Sequence, residues 1–234
     1  MLILQHMLRA AEANVHKIYT HPFNRNLYRG TLPPAAFRHF VMQDQIYLHH
    51  FAKTLMVITK RLPNKEQQYK FERLATKMIR TEQTLLQKYL KPSPYLFFSS
   101  HPARTESPII KAYRMHLHES AEHASLATAI AGCIPCFWIY CSLGEQMPTV
   151  LLPGNHLYKN WLQTYSSPSF RIATQHVVEI FNEYAQCEQE QRAIDAMTSG
   201  FCRSVSYERC FLDEAYEISC SHSVDYSEPL NSCL

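Results

Sequence analysis

The stretch Ala129-Ile-Ala-Gly-Cys-Ile-Pro-Cys-Phe-Trp-Ile-Tyr-Cys-Ser-Leu-Gly-Glu-Gln146 decides the fold. Its residues are nearly all apolar, and Gly132 and Pro135 lie in the middle of an otherwise helical pattern. Because proline removes a backbone hydrogen bond and clashes with the preceding turn, we expect a kink at Pro135 and a fresh helix start after it. Cys136 would then lie in a first helical turn, where the positive end of the helix dipole biases a thiol toward the thiolate. Tyr140 lies one turn further along the same face.

The composition favours one globular, all-helical domain. Apolar residues make up 46% and charged residues 18% of the 234 residues, which is the balance of a folded protein rather than a disordered one. Glycine occurs only five times, and apolar residues recur with the period of a helix. We therefore predict an all-α protein with a single domain over residues 1–217 and a peripheral, Ser-rich tail over residues 218–234.

Charge and hydropathy exclude several classes of protein. The net charge is only +3, and the basic residues are scattered, so the chain lacks the electrostatic pattern of a nucleic-acid-binding protein. Gln5, His6 and Arg9 interrupt the first apolar residues, unlike the core of a signal peptide. We count no apolar run of the roughly 18–20 residues that cross a bilayer. These features predict a soluble, cytoplasmic protein with neither nucleic-acid nor membrane partners.

The eight cysteines predict no disulfide framework, since that interpretation needs a secretory context. The spacing of Cys133-Ile-Pro-Cys136 resembles a redox motif, but such motifs usually follow a strand and no strand pattern surrounds this one. Most of the cysteines are then expected to be small buried hydrophobes, an expectation that suits Cys133, Cys187 and Cys202.

A long helix is predicted over residues 33–61, and its apolar stripe contains one carboxylate. Phe37, Val41, Asp44 and Leu48 follow one another at alternating spacings of four and three, so Asp44 should face the core. A buried carboxylate needs hydrogen-bond partners or a cationic ligand. Asp44 is therefore either a structural residue satisfied by the protein or a ligand-binding residue, with Tyr47 one turn away.

A second carboxylate lies on the apolar stripe formed by Phe201, Val205, Glu208, Leu212 and Ala215. Burial should raise the pKa of Glu208 toward neutrality, which suits a general acid. The other predicted elements are helices at about 3–20, 64–89, 108 onward, 158–165, 168–186 and 188–203, a connector over 21–34 and a proline-rich loop over 91–108.

A cluster of histidines and glutamates over residues 116–123 suggests a metal site at first sight. Di-iron bundles use Glu-x-x-His pairs on facing helices, whereas the spacings here are His116-x-x-Glu119 and Glu119-x-x-Glu122, with no matching second cluster. A solvated polar helix face is the favoured interpretation.

A thiol, two carboxylates on apolar stripes and several inward tyrosines together favour a flat, nitrogen-containing aromatic ligand. Aromatic rings stack on its faces, and a carboxylate accepts from an amino or ring N–H group. A thiol with an acid suits addition to an electron-poor ring followed by departure of a substituent.

The residues also carry a resemblance to a known family. The motifs, in order, are His21-Pro-Phe, Gly30-Thr-Leu-Pro, Gln43-Asp-Gln-Ile-Tyr47, Pro135-Cys-Phe-Trp-Ile-Tyr140, Tyr158-Lys-Asn-Trp-Leu-Gln-Thr-Tyr165 and Tyr207-Glu-Arg-Cys-Phe-Leu-Asp-Glu-Ala-Tyr216. Over about residues 5–217 they resemble the TenA family of thiaminase II-type enzymes. The resemblance implies a heme-oxygenase-like multi-helical bundle, a homotetramer, and no metal or organic cofactor.

The resemblance also implies an activity and a role for each site residue. Family members hydrolyse aminopyrimidines such as 4-amino-5-aminomethyl-2-methylpyrimidine to the hydroxymethylpyrimidine in thiamine salvage, and many cleave thiamine itself. Cys136 resembles the nucleophile and Glu208 the acid that protonates the ring nitrogen. Asp44 would bind the aminopyrimidine edge. Tyr47, Tyr113, Tyr140 and Tyr165 would stack on the ring or bond to it.

The closing motif departs from the family pattern, since Leu212 replaces the usual tryptophan, which could loosen the packing behind Glu208. The presence of Cys136 favours the cysteine-using branch. Two other classes stay open at this point: a non-catalytic pyrimidine-binding or regulatory protein, and a heme or di-iron oxygenase on the same fold.

Overall fold

The computed structural model describes residues 3–89, 105–147 and 152–221. Within these ranges the chain forms helices and no β-strand, so the predicted all-α class is confirmed. The helices are α1 (Ile3–Tyr19), α2 (Pro22–Arg29), α3 (Pro34–Arg61), α4 (Lys65–Tyr89), α5 (Pro108–His123), α6 (Leu126–Gln146), α7 (Lys159–Tyr165), α8 (Pro168–Ala185) and α9 (Gln191–Ser221). Of the proline-rich loop predicted over residues 91–108, residues 91–104 lie outside the described part of the chain.

Serine caps start three of the helices that carry the core. The hydroxyl of Ser107 accepts from the backbone N–H of Ile110 at the start of α5, and Ser125 and Ser167 do the same for α6 and α8. Such caps satisfy N–H groups that the first helical turn leaves without partners. Each helix therefore begins at a fixed residue, which sets the register of the side chains that follow.

The predicted connector over residues 21–34 contains a helix of its own. α2 begins where the ring of His21 accepts a hydrogen bond from the backbone N–H of Phe23, and it ends at Gly30, whose φ of 73° lies in the left-handed region that favours glycine. Eight residues are too few for an apolar period to be visible in the sequence. The prediction missed α2 for that reason.

The central helix α6 corrects two expectations. It runs unbroken through Pro135 from its cap at Ser125, so the predicted fresh helix start after the proline is wrong. With 21 residues it is also long and apolar enough to cross a membrane, contrary to the sequence count. However, 78% of its apolar window is buried inside the protein, where α5, α8 and α9 pack around it. That burial is the pattern of a core helix in a soluble protein.

The helix α9 packs along α6 and contacts α1, α3 and α5 as well. It is a single helix of 31 residues, where the sequence predicted a separate helix over 188–203. It continues through Ser221, past residue 218, where the tail was predicted to begin; residues 222–234 lie outside the described part of the chain. Because α3, α5 and α6 all pack against α9, side chains from four helices meet at one place in the core.

A close contact fixes the short helix α7 against α6. A Cβ atom at Gly144 would lie only 2.6 Å from the backbone oxygen of Tyr165, the last residue of α7. No larger residue fits there without moving the backbone. The glycine therefore lets α7 bring its aromatic side chains to the same region of the core as α6.

Candidate active site

All seven residues that the sequence singled out line one pocket between the helices. Helix α3 supplies Asp44 and Tyr47, α5 supplies Tyr113, α6 supplies Cys136 and Tyr140, α7 supplies Tyr165 and α9 supplies Glu208. Each is less than a tenth exposed. The structure therefore brings together residues that lie up to 164 positions apart in the sequence, from Asp44 to Glu208.

Glu208 has the environment that its apolar stripe predicted. Its side chain is 3% exposed, and burial raises its pKa to about 7 because the charged form loses its hydration. The hydroxyl of Tyr113 donates a 3.0 Å hydrogen bond to Oε1, and it acts with the nearby Tyr140 to hold the pKa lower than burial alone would leave it. A carboxyl group balanced near neutrality can both give and take a proton.

Asp44 is the second buried carboxyl group. Burial raises its pKa to about 8, and the negative charge of Glu208 adds to the effect. Among the described residues, its Oδ2 atom has no hydrogen-bond partner. Buried oxygens are rarely left without partners in native proteins. The orphan oxygen thus favours a ligand-binding residue over a structural one.

The thiol of Cys136 differs from its prediction. Burial, followed by the negative charge of Glu208, raises its pKa well above the usual value, and the neighbouring Tyr47 offsets only part of this rise. The predicted bias toward the thiolate is therefore wrong for the protein on its own. The physical reason is the unbroken α6: Cys136 lies in the middle of the helix, far from any free N–H groups or positive dipole end.

Aromatic rings form two walls of the pocket. The rings of Tyr47 and Tyr113 are stacked with centroids 4.8 Å apart, and those of Tyr140 and Tyr165 lie 5.0 Å apart and tilted. Trp161 packs against Tyr165 from behind at 4.5 Å. Ring pairs at these distances pack closely against one another, so each wall is a continuous aromatic surface.

Seven further residues line the pocket that the sequence did not predict as site residues: Leu48, Met78, Thr81, Phe137, Thr164, Phe170 and Phe211. Phe137 and Phe211 could have been found from the sequence. Phe137 directly follows Cys136, and Phe211 lies three positions after Glu208, close to one helical turn. The α4 residues Met78 and Thr81 carry no local signal. The space enclosed is about 20 Å³, roughly the room of one water molecule, so a ring enters only when lining side chains move.

The histidine cluster of α5 lies outside this pocket. His116 is half-buried, and its Nε2 lies 3.2 Å from Ser204 Oγ and 3.3 Å from the carbonyl oxygen of Gly200. The structure, over the residues that it describes, brings no three histidine, cysteine or acidic side chains together as a metal-binding group. His116 therefore joins α5 to α9, whereas the other members of the cluster are exposed, as predicted: His118, Glu119, Glu122 and His123.

One exposed cysteine corrects a smaller expectation. Cys133 is fully buried, as predicted, whereas Cys187 lies at the surface after the end of α8. The apolar pattern of α8 ends two residues earlier, so the helix gives Cys187 no core to enter.

The sequence and the structure are similar to those of known proteins. Residues 8–218 match the sequence profile of the TENA/THI-4/PQQC family. An aminopyrimidine aminohydrolase of Bacillus subtilis (strain 168) is 29% identical over 201 residues, which cover 85% of this chain and 83% of that relative.

Two solved structures show the same fold. A TenA homologue protein from P. horikoshii OT3 has a TM-score of 0.76 at 21% identity, covering 93% of this chain and all of that one. A domain of unknown function with a heme oxygenase-like fold, from Shewanella denitrificans, has a TM-score of 0.68 at 13% identity and covers 98% of both chains. The predicted heme-oxygenase-like bundle is thereby confirmed. Since the profile spans most of the sequence, the chain belongs to the TENA/THI-4/PQQC family.

Proposed function

We propose that this protein is an aminopyrimidine aminohydrolase of thiamine salvage. The observation that carries the proposal is the meeting of a thiol, an acid with a pKa of about 7 and a carboxyl group with an orphan oxygen inside one aromatic pocket. The substrate is 4-amino-5-aminomethyl-2-methylpyrimidine and the product is its hydroxymethyl counterpart. The name of the Bacillus subtilis relative supports the same reaction class.

The ring of the substrate binds between the tyrosine walls, and its amino edge meets Asp44. The Oδ2 atom of Asp44, which has no hydrogen-bond partner among the described residues, accepts a hydrogen bond from the substrate. The rings of Tyr47 and Tyr113 stack on each other and on neighbouring rings, so these two residues contact the substrate through their ring edges and hydroxyl groups. Together these contacts select an aminopyrimidine over an apolar ring of similar size.

Cys136 and Glu208 then divide the chemistry. Glu208 protonates the ring nitrogen while the sulfur of Cys136 bonds to a ring carbon. The amine bond on the methylene breaks, and the thiol proton leaves with the amine as ammonia. Water adds its hydroxyl to the methylene and returns its proton to the sulfur. The carbon–sulfur bond finally breaks and the ring nitrogen gives its proton back to Glu208, so both side chains end as they began.

The raised pKa of the thiol makes its activation dependent on the substrate. The pocket holds Cys136 as the neutral thiol because the thiolate would be buried beside a carboxyl group. A substrate that brings positive charge, such as a protonated aminopyrimidine or the thiazolium of thiamine, favours the thiolate. Thiol ionisation therefore follows binding, which keeps the empty enzyme unreactive toward other electrophiles.

Turnover tests the proposal directly. Wild-type protein is incubated with the aminomethylpyrimidine or with thiamine, and hydroxymethylpyrimidine is followed by chromatography. We expect product from at least one compound, with Cys136→Ser and Glu208→Gln each losing about 10²–10⁴-fold in kcat. Cys202→Ser, a half-buried cysteine away from the pocket, is the matched control and should retain activity. Folded wild type that binds pyrimidine without product would instead support the regulatory, non-catalytic alternative.

We also propose that the protein acts as a cytoplasmic homotetramer that needs no cofactor, with a single domain that extends to the end of α9 at Ser221 and a peripheral tail after it. The family resemblance supports these assignments. Light scattering after gel filtration measures the assembly, and a monomer at micromolar concentration would contradict it. Turnover after extensive dialysis against a chelator tests the independence from metal.

A further inference from the structure

A column of aromatic rings runs from the core through the pocket wall to the surface of α9. Phe51, Tyr47, Tyr113 and Tyr207 stack in that order, with centroids 5.3, 4.8 and 5.2 Å apart and ring planes within 15°, 27° and 23° of one another. The guanidinium of Arg203 covers the outer face of the last ring at 5.9 Å. Tyr207 is the half-buried outer member, and the reaction described above gives it no role.

We propose that Tyr207 is a positioning residue, which clamps the ring of Tyr113 so that its hydroxyl stays on Glu208. The effect expected on kcat rests on the proposed function, whereas the effect expected on the pKa of Glu208 does not. Tyr207 touches neither the reacting atoms nor the pocket surface. It acts through Tyr113 alone.

Two adjacent residues of α9 hold Tyr113 at different points. Glu208 accepts the hydrogen bond from the Tyr113 hydroxyl at 3.0 Å, while Tyr207 covers one face of the Tyr113 ring. The other face lies against Tyr47. A ring pressed from both sides keeps its plane, and the 3.0 Å bond depends on that plane.

The ring of Tyr207 is itself fixed from two directions. His116 of α5 packs against it at 5.9 Å, and His116 is anchored on α9 through Ser204. Arg203 lies over it from the preceding turn of the same helix. The ring of Tyr207 therefore lies at the contact between α9 and α5. These two helices carry the acceptor, Glu208, and the donor, Tyr113, of the hydrogen bond.

The protonation of Glu208 is the property that this clamp controls. The titratable groups that face Glu208 lie on four helices: Asp44 and Tyr47 on α3, Tyr113 on α5, Cys136 and Tyr140 on α6, and Tyr165 on α7. The α4 and α8 residues that line the pocket carry no titratable group. Among these groups, Tyr113 lowers the pKa of Glu208 the most, through its hydrogen bond to the carboxyl group. Loss of the clamp should therefore raise that pKa.

The experiment is a double-mutant cycle between Tyr207→Leu and Tyr113→Phe. We expect Tyr207→Leu to lower kcat about three- to tenfold, the value of one ring pair, and Tyr113→Phe to lower it about ten- to a hundredfold by removing the hydrogen bond. If Tyr207 acts through Tyr113, Tyr207→Leu has little further effect in the Tyr113→Phe background. Tyr207→Phe, which keeps the ring, should restore kcat to within about twofold.

A measurement without substrate separates this inference from the proposed function. The carboxyl group of Glu208 is titrated in the empty protein by isotope-edited infrared spectroscopy and assigned with Glu208→Gln. We expect its pKa to rise in Tyr207→Leu, in the direction of Tyr113→Phe. Tyr216→Leu is the matched control, since Tyr216 lies on the same helix and packs on His21 instead.

Four outcomes would overturn the clamp. The pKa of Glu208 could stay unchanged in Tyr207→Leu, which would show that the hydrogen bond from Tyr113 does not depend on Tyr207. It could also fall, which would indicate that water has reached the carboxyl group. The two substitutions could multiply in kcat, as independent sites do. Tyr216→Leu could have the same effects as Tyr207→Leu. Tyr207→Met fills more of the space left by the ring and replaces Tyr207→Leu in the cycle if the leucine variant does not fold.

Discussion

Glu208→Gln should make the protein more stable in alkaline solution while removing its activity. The side chain is 3% exposed and burial raises its pKa from 4.5 to about 7. At about 1.36 kcal/mol for each pKa unit, ionising this buried group costs about 3 kcal/mol more in the folded protein than in the unfolded chain. Glutamine has the same shape and carries no charge to bury. The hydroxyl of Tyr113 can still donate to its amide oxygen.

The sign follows from proton linkage. Between its unfolded pKa of 4.5 and its folded pKa of about 7, the unfolded chain has released the proton while the folded protein still holds it. Stability therefore falls as pH rises through this window, and the full loss is present above about pH 7. The variant lacks this loss. Glu208→Gln also removes the negative charge that helps to raise the pKa of Asp44. Ionisation of Asp44 then costs less in the folded protein, which adds to the stability of the variant at high pH.

Urea unfolding followed by circular dichroism, at one fixed protein concentration, measures the difference. We expect Glu208→Gln to match wild type within about 1 kcal/mol near pH 5 and to exceed it by about 1–3 kcal/mol near pH 9. Glu12→Gln, which neutralises an exposed carboxylate on α1, should show no such dependence on pH. The reasoning fails if the Glu208→Gln difference is the same at both pH values, or if the variant is the weaker protein at the higher one.

Three further predictions follow from the packing and the burial of the site. Gly144→Ala should destabilise the protein by about 1–3 kcal/mol in thermal unfolding, because its Cβ would lie 2.6 Å from a backbone oxygen of α7, whereas Gly154→Ala meets nothing within 4 Å and should be neutral. A disulfide reagent at neutral pH should label exposed Cys187 quickly and Cys136 only slowly, as read by peptide mass spectrometry, because burial keeps Cys136 a neutral thiol; fast labelling of Cys136 would contradict this. Asp44→Leu should raise KM about ten- to a hundredfold with a smaller effect on kcat, since it removes the orphan oxygen proposed to hold the substrate; an unchanged KM would assign that oxygen elsewhere.

The parts of the fold that the sequence predicted are those with a long apolar period. The stripes of α3 and α9 predicted that Asp44 and Glu208 face the core, and both are buried, at 5% and 3% exposure. The short helix α2 was missed because its eight residues span little more than two turns. The separate helix predicted over 188–203 is part of α9, which continues to Ser221 and packs along α6.

The identity of the candidate residues was accessible from the sequence, but their protonation was only partly so. For Glu208 the environment is set by its own apolar stripe, so the upward direction of its pKa could be predicted. For Cys136 the prediction relied on a local feature, the proline one residue earlier. The pKa of the thiol depends instead on the helices that surround α6. Desolvation by those helices outweighs the dipole effect that a helix start would have given.

The same physical cause acts on all three groups that would carry the chemistry. Burial is the largest influence on Asp44, Cys136 and Glu208, and in each it raises the pKa and so favours the neutral, protonated form. Near neutral pH the empty pocket therefore carries much less negative charge than three acidic groups would in water. A ligand with a positive charge reverses this preference, because it stabilises each ionised form in a medium of low dielectric constant. The same burial that lowers the stability of the protein at alkaline pH thus gives Glu208 a pKa suited to its proposed role, the exchange of a proton with a bound pyrimidine.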